Sequence, residues 1–297
     1  MPLGCIHTHT VFCDGSDDIE TCCRTAYEKG LACIGFSSHA PLTSKTGITT
    51  SWNLPDEKLP EYIESVLDAK IRWEGKLPVY LGLEVDFIEG LMGPTDEDYR
   101  EMDLDFIIGS VHFVIPPNGM LFTVDDTPEN VYAGISKGFD GDPMAMVEAY
   151  YHSVAEMILA GGFDVLGHAD LVRKNNAGDS LFPEDDDLYL EQIIILAGLM
   201  AEAGVPAELN TGGMIRGSIK DCYPSIDLLT LFRESGVPIV INSDAHKAQD
   251  LDGCYDAAKK TMLSAGYTES LIFKGRKNGK AVWESEGLEV ALADPLI

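Results

Sequence analysis

The sequence predicts an α/β protein in which seven parallel strands alternate with helices and close into a barrel. Three observations favour this class. Short apolar segments rich in Val and Ile recur seven times, stretches with helical periodicity separate most of them, and a length of 297 residues suits a single α/β barrel. Nearly continuous apolar runs are typical of strands that are buried on both faces, as the strands of a parallel sheet are.

The predicted strands are short, and turn residues flank each of them. In chain order they comprise residues 3–7, 33–37, 79–85, 106–111, 164–167, 207–210 and 238–242. Barrels of this kind build their functional site at the carboxyl ends of the strands. The loops after the second, fourth and fifth strands are long, at residues 39–55, 112–142 and 168–187, so we expect them to surround that site.

Six further segments have the apolar periodicity of helices. They comprise residues 17–29, 56–73, 143–160, 187–203, 225–234 and 253–265. Several begin with an acidic or hydroxyl residue and are followed by glycine, which is the usual asymmetry of helix caps.

The C-terminal tail has its own signal. It contains Asn278-Gly279, a pair that predicts a type I′ hairpin. Because the chain shows no repeat, linker or break in composition, we predict one domain over residues 1–297. Residues 267–297 are then an extension packed on the barrel.

The composition limits the classes of partner. The chain has 49 acidic residues against 21 Lys and Arg, and its formal charge of −28 repels phosphate backbones and anionic lipids. No segment approaches the roughly 18 to 20 apolar residues that span a bilayer. Seven cysteines, an odd number without a C-x-x-C pair, indicate reduced thiols rather than a redox centre. We therefore expect a cytoplasmic protein without a classical secretion signal and with neither nucleic acid nor membrane as a partner.

Histidines mark the ends of the predicted strands. Six of the seven lie at the end of a predicted strand or shortly after it, and these are His7, His9, His39, His112, His168 and His246. The seventh, His152, lies inside the predicted helix 143–160, and we give it no role in a site. In an extended segment, residues two apart point to the same side, so His7 and His9 can converge on one point.

Three carboxylates accompany these imidazoles. They are Asp14, Glu84 and Asp244, which makes nine nitrogen and oxygen ligands at one mouth of the barrel. Nine ligands exceed what one metal accepts and suit two or three divalent ions, with Glu84 available as a bridge. The alternatives are that Asp14 caps the following helix and that Glu84 forms a buried pair with Asp86.

The motifs that carry these ligands resemble those of a known family. The segments HTHT, SSHA, GLEVDF, GSVHF, GHADL and SDAH, together with Asp14, are similar to the polymerase and histidinol phosphatase (PHP) superfamily of metal-dependent phosphoesterases. The likeness runs from His7 to about Tyr267. Within the superfamily, the segments DFIIGSVHF, GHADLVRKN, ELNTGG and YPS most resemble histidinol-phosphate phosphatases of the PHP type.

The resemblance implies a distorted (β/α)7 barrel with a trinuclear metal centre at the carboxyl ends of its strands. It implies a first metal bound by His7, His9, Glu84 and Asp244, a second by Glu84, His112 and His168, and a third by Asp14, His39 and His246. It also implies that Arg173 and Arg216 hold the substrate phosphate.

The expected activity is that of a phosphomonoesterase in histidine biosynthesis, which hydrolyses L-histidinol phosphate by means of a metal-bridging hydroxide. Two to three ions of Zn, Mn or Fe would serve it, and the motifs select no side chain as general acid. Acidic residues at positions 125–126 and 184–187 would suit the cationic end of this small phosphorylated metabolite. Two alternatives are a phosphoesterase for another small ester, such as a nucleoside bisphosphate, and a noncatalytic metal-binding barrel.

Overall fold

The structure is a computed structural model that describes residues 3–288. Its strands are β1 (Ile34–Phe36), β2 (Val79–Asp86), β3 (Phe106–Ser110), β4 (Phe113–Val114), β5 (Phe122–Thr123), β6 (Val165–Leu166), β7 (Ala207–Asn210), β8 (Ile239–Asn242), β9 (Glu269–Lys277) and β10 (Lys280–Gly287). Its α-helices are α1 (Ile19–Glu28), α2 (Leu59–Arg72), α3 (Glu97–Glu101), α4 (Pro128–Gly138), α5 (Pro143–Ala160), α6 (Asp187–Ala203), α7 (Gly212–Arg216), α8 (Ile226–Glu234) and α9 (Tyr255–Ser264).

One curled sheet of eight strands organises the described chain. Its order is β1-β2-β3-β6-β7-β8-β9-β10, and all neighbours are parallel except β9 and β10, which are antiparallel. The strands are short and apolar, and β1, β3, β7 and β8 are buried at every residue, as expected for a sheet covered by helices. The predicted α/β class with parallel strands curled toward a barrel is confirmed.

The predicted first strand, residues 3–7, is not a regular strand. The segment makes single parallel bridges on either side, from Cys5 to Ile34 and from Thr8 to Ala245. Its ladder is interrupted because two main-chain N–H groups donate to side chains instead: that of Ile6 to Asn242 Oδ1 at 3.0 Å and that of Thr8 to a serine hydroxyl. The segment nevertheless lies between β1 and the residues that follow β8.

The C-terminal extension adds to the sheet. Strand β9 pairs in parallel with β8, a contact that the sequence did not predict, and β10 folds back on β9. The turn between them has positive φ at Asn278 (52°) and Gly279 (75°), as the predicted type I′ hairpin requires. Residues 289–297 of the extension lie outside the described residues, and the single domain over residues 1–297 stays a prediction.

Helix α1 begins one turn later than an N-cap at Asp14 would require. The side chain of Asp18 accepts the N–H of Thr21 at 2.7 Å and caps the helix. The alternative in which Asp14 is the cap is therefore wrong, and its carboxylate is free to serve the strand ends.

The long loop at residues 112–142 is more ordered than the sequence predicted. It holds the β4–β5 hairpin and α4, whose first turn contains Pro128 and whose N-cap Thr127 accepts the N–H of Asn130. Two strands of two residues each leave no alternating pattern to recognise in a sequence, so the hairpin could not be predicted. Within the described residues, no helix is long and apolar enough to cross a membrane.

Candidate metal centre

The first two histidines reach the centre from the N-terminal segment beside β1. His7 Nε2 lies 3.2 Å from Glu84 Oε2 and 3.7 Å from Asp244 Oδ1, and His9 Nε2 lies 3.5 and 3.2 Å from the same two atoms. The extended backbone places both rings on one side, as expected for residues two apart. The four groups of the first implied site therefore converge on one point.

Glu84 lies in the middle of the cluster. It belongs to the buried strand β2, and its two carboxylate oxygens face different partners. Oε2 faces His7, His9 and, at 2.9 Å, the Nδ1 atom of His39. Oε1 lies 2.9 Å from Nε2 of His168 and 3.7 Å from Nε2 of His112. A carboxylate with one oxygen directed at each of two donor groups can bridge two ions.

A third group lies toward the solvent. Asp14 Oδ2 is 3.1 Å from His246 Nε2, and Asp14 Oδ1 is 3.6 Å from His9 Nδ1 and 3.8 Å from His39 Nε2. The ring of His9 belongs to both groups. Its Nδ1 atom faces Asp14, and its Nε2 atom faces Glu84 and Asp244.

All nine predicted ligands come together in the structure. Their donor atoms cluster most tightly in three groups, which are His9/Asp14/His39/His246, His7/His9/Glu84 and His39/Glu84/His112. This grouping differs from the implied one because His9 and His39 each contact two groups. His168 and Asp244 lie beside these groups, at 2.9 Å from Glu84 and 3.2 Å from His9.

Several of these atoms are buried without a hydrogen bond. Among the described residues they include His7 Nε2, His9 Nε2, His39 Nδ1 and Glu84 Oε2. A buried polar atom left unpaired costs about 1–3 kcal/mol, so four at one point need a partner. Imidazole and carboxylate ligands lie about 2.0–2.2 Å from zinc, and ligands around such an ion are about 3 Å apart, close to the spacing observed here. The donor set therefore fits divalent transition ions.

Burial and charge shift the pKa values of the histidines in opposite directions. Burial alone would lower the pKa of His7, but the surrounding carboxylates, Glu208 foremost, raise it well above its usual range. Burial also opposes protonation of His112, yet Asp86 and other carboxylates raise its pKa to about 10. Burial and neighbouring imidazoles lower the pKa of His9 to about 3. In the metal-free protein, protons on His7 and His112 therefore supply part of the positive charge that offsets the carboxylates.

Two buried carboxylates behind the ligands were not predicted as site residues. Asp86 Oδ1 lies 2.8 Å from His112 Nδ1, and Glu208 lies 2.9 Å from His7 Nδ1. Asp86 follows Glu84 by two residues and shares its side of β2, which is a signal the sequence does offer. Glu208 is the one charged residue of the apolar strand β7, and this contrast was its signal.

Arg216 lies at the centre, at the end of α7. Its Nη2 atom donates to Asp244 Oδ2 at 2.9 Å, and its Nη1 atom donates to the main-chain carbonyl of Asp244 at 3.0 Å. The backbone of Gly212 passes close by: a Cβ atom there would lie 2.7 Å from Arg216 Nη2 and 2.8 Å from Asp244 Oδ2. Glycine at this position therefore makes room for the arginine.

Arg173, the other arginine predicted to hold phosphate, has different partners. It is buried, and its guanidinium contacts three carboxylates: Glu184 and Asp221 at 2.8 Å and Asp170 at 3.4 Å. It is absent from the lining of the cavity, whereas the next residue, Lys174, is part of it. The phosphate role of Arg173 stays a prediction, and in this structure neighbouring carboxylates engage the donors of its guanidinium.

A cavity of about 870 Å³ opens above the nine ligands. Seven of the nine ligands and Arg216 line it, together with the apolar side chains of Trp52, Leu121 and Phe122. The ring of Trp52 stacks on Phe113 at 5.4 Å between centroids. Two further cations, Lys137 and Lys174, and the acidic pair Asp125 and Asp126 complete the lining.

Comparisons with known proteins identify the family of this chain. The PHP domain model matches residues 6–212. The histidinol-phosphatase of Bacillus subtilis is 30% identical over 84% of this chain and 96% of its own length. A crystal structure from Listeria monocytogenes, assigned as a histidinol phosphatase, has a TM-score of 0.75 and 25% identity, covering 85% of this chain and 98% of that one.

A second crystal structure shares the fold. Histidinol phosphate phosphatase from Lactococcus lactis, in complex with zinc, L-histidinol and phosphate, has a TM-score of 0.67 and 20% identity, and it covers 94% of this chain and 98% of its own. The family expected from the motifs is confirmed. The chain belongs to the PHP domain family, and it matches a histidinol phosphatase of that family over most of its length.

Proposed function

We propose that this protein is a metal-dependent phosphomonoesterase that hydrolyses histidinol phosphate to histidinol and phosphate. The observation that carries the proposal is that nine ligand residues lie together at the base of one cavity, with five histidines in contact with Glu84. The match to a curated histidinol-phosphatase over nearly the whole length of that relative supports the substrate.

The proposed cofactors are two or three divalent ions of Zn, Mn or Fe, bound by His7, His9, Asp14, His39, Glu84, His112, His168, Asp244 and His246. Such ions supply Lewis acidity that activates water near neutral pH and offsets negative charge on phosphoryl oxygens. The ligand carboxylates number three, and Asp86 and Glu208 lie behind them, so three divalent ions leave a net positive charge there. A dianionic phosphate is then attracted even though the whole chain carries −28.

The cationic residues of the cavity orient the phosphate. Arg216 presents a planar fork, held by its two bonds to Asp244, and part of that fork faces the cavity. Nη1 also lies 3.1 Å from Nδ1 of His246, so the remaining N–H groups on Nη2 and Nε are the ones that would donate to phosphoryl oxygens. Lysine cannot reproduce their planar arrangement. Lys174 adds a second cation, which is held in place by the carbonyl (2.6 Å) and carboxylate (3.2 Å) of Asp125.

The remaining lining suits an amino alcohol with an aromatic ring. Trp52 and Phe122 offer flat apolar surface for an imidazole, and the carboxylate of Asp126 offers a partner for an ammonium group. The acidic residue Glu184 does not belong to this rim as expected, because it accepts from Arg173 and Asn176. The free cysteines of the described chain and the high negative charge agree with a cytoplasmic enzyme that acts on a small metabolite.

The test is a phosphate-release screen. Protein stripped with chelator and reloaded with Zn, Mn or Fe should hydrolyse histidinol phosphate far faster than nucleoside bisphosphates and other small phosphate esters. His7→Ala should abolish turnover, whereas His152→Gln, a change of an exposed histidine on α5, should leave it unchanged. Faster release from a nucleoside bisphosphate would overturn the substrate, and no release from any ester by metal-loaded protein would overturn the activity.

A further inference from the structure

One buried carboxylate, that of Glu208, lies outside the cavity lining and contacts two of the predicted metal ligands. We propose that Glu208 is a positioning residue of the metal centre, which fixes the ring of His7 and the main chain of His168. Through Asn210 it also reaches the carboxylate of Asp244. The inference rests on the proposed metal centre. It adds a residue that neither lines the cavity nor belongs to the nine predicted ligands.

The contact with His7 determines which ring nitrogen faces the centre. His7 Nδ1 lies 2.9 and 3.1 Å from the two oxygens of Glu208. An ionised carboxylate only accepts hydrogen bonds, so Nδ1 keeps a proton, and a metal ion would displace the proton on Nε2 to reach the lone pair of that atom. That Nε2 atom is buried without a hydrogen bond and faces Glu84 Oε2 at 3.2 Å. Glu208 thus holds the ring in the tautomer and the orientation that a metal ligand needs.

The remaining bonds of Glu208 join the ends of β7 and β8 and the residue two positions after β6 to this ring. Oε1 accepts the main-chain N–H of His168 and the amide of Asn210, both at 2.8 Å, and Oε2 accepts the amide of Asn242 at 3.0 Å. The same Asn210 amide lies 3.4 Å from Asp244 Oδ2. Four donors fill the lone pairs of one carboxylate, and two of them belong to predicted ligand residues.

A purely structural role does not account for this arrangement. Glu208 is fully buried in an apolar strand, where an ionised carboxylate costs free energy that an aliphatic residue avoids. The same design recurs at Asp86, which accepts from the ring Nδ1 of His112 at 2.8 Å and from its main-chain N–H at 3.3 Å. Two histidines whose Nε2 atoms face Glu84 are thus each backed by a carboxylate at Nδ1.

The decisive variant is Glu208→Gln, which keeps the shape and replaces one acceptor oxygen by a donor. All four neighbours of Glu208 donate, so the new amide N–H₂ faces a donor and favours the His7 tautomer with its proton on Nε2, toward the centre. We expect the affinity for Zn or Co(II), measured by chelator competition, to fall about 10- to 100-fold, with an altered visible spectrum of the cobalt protein.

Asp105→Asn is the matched control. Asp105 is a half-buried carboxylate that accepts the main-chain N–H of Leu81 at 2.7 Å and the ammonium of Lys70 at 2.6 Å, at the opposite ends of the strands. Its loss should reduce thermal stability and leave metal affinity and the cobalt spectrum at wild-type values. A folded Glu208→Gln protein with wild-type affinity and spectrum would overturn the inference while leaving the proposed function intact.

A second measurement covers the case in which Glu208→Gln does not fold. In ¹⁵N-labelled wild-type protein loaded with zinc, the ring of His7 should carry its proton on Nδ1, recognised by a nuclear Overhauser effect to the amide proton of His168. A proton on Nε2 instead would contradict the assignment. Wild-type protein that binds neither Zn nor Co(II) would overturn the metal centre itself, and with it the proposed function.

Discussion

Arg216 is bonded to Asp244 twice, at the carboxylate (2.9 Å) and at the main-chain carbonyl (3.0 Å). Asp244 has a positive φ of 49°, an uncommon conformation for a residue other than glycine. The two bonds therefore join a cationic residue of the cavity to a proposed metal ligand whose backbone conformation is unusual. The position of the Arg216 guanidinium and the position of Asp244 therefore depend on each other.

Replacing this fork is the first prediction. Arg216→Lys keeps the charge but cannot donate to both sites of Asp244 and to a phosphate. Because hydrogen bonds to charged groups contribute about 1.5–3 kcal/mol, we expect kcat/KM for histidinol phosphate to fall about 10- to 100-fold. Steady-state kinetics with fixed metal loading measures this, and an unchanged kcat/KM would remove Arg216 from the substrate site.

Replacement of Arg173 should reduce stability and leave substrate binding unchanged, the opposite of the result expected for Arg216. Its removal in Arg173→Ala leaves Asp170 buried beside Glu184 and Asp221 without their shared cation. We expect a loss of about 3 kcal/mol in the free energy of unfolding, seen in urea titrations, and an unchanged KM in the folded protein. A raised KM without loss of stability would restore Arg173 as a phosphate ligand.

The pH dependence of metal binding follows from the raised histidine pKa values. Against the effect of burial, neighbouring carboxylates raise the pKa of His7 well above its usual range and that of His112 to about 10. Metal must displace these protons, so affinity should rise with pH between about 6 and 9. Calorimetry in two buffers of different ionisation enthalpy should detect the released protons. An affinity that is independent of pH would contradict the protonated metal-free state.

The same shifts give a sign for the stability of the metal-free protein. A histidine whose pKa is higher in the folded state stabilises that state fully below about pH 6.5, and this stabilisation is lost as pH rises toward the folded-state pKa. Thermal unfolding of chelator-treated protein should therefore occur at lower temperature at pH 9 than at pH 6. Metal-loaded protein should lack this decline, because an imidazole nitrogen that binds a metal ion does not take up a proton in this pH range. A decline of equal size in both forms would assign it to other groups.

Gly212→Ala should damage the site without a change of charge. The added Cβ would lie 2.7 Å from Arg216 and 2.8 Å from Asp244, so both must move. We expect activity to fall at least tenfold while secondary structure by circular dichroism is retained. Gly198→Ala is the control: this glycine lies within α6 facing open space, and the change should stabilise the protein by about 0.5–1 kcal/mol. Wild-type activity in Gly212→Ala would contradict the close packing.

The convergence of the predicted ligand residues could be foreseen because parallel strands end at one edge. Any polar residue just after such a strand, such as His39 or His168, is brought to that edge by the topology alone. Choosing between adjacent residues needs more. Arg173 and Lys174 share one 3-10 turn, and only the folded positions of Asp170 and Glu184 decide that the arginine is turned away from the cavity.

The parts of the fold that the sequence missed depend on contacts far along the chain. Residues 3–7 have the composition of a strand, yet their regular pairing is broken by the side chain of Asn242 and by a serine hydroxyl. The tail from residue 267 shows its hairpin locally, but its pairing with β8 follows only from the free edge that β8 offers. Neither set of contacts produces a periodic pattern of apolar residues in the segments concerned, so neither could be predicted from them.

The bridges from Cys5 to Ile34 and from Thr8 to Ala245 place the two ends of the barrel sequence side by side. His7 and His9 are synthesised more than 230 residues before Asp244 and His246. A nascent chain therefore holds an incomplete set of these residues until that stretch has been made. Ions bound between these segments would join them only after both have been made. Loss of the ions would release the N-terminal segment before the rest of the sheet.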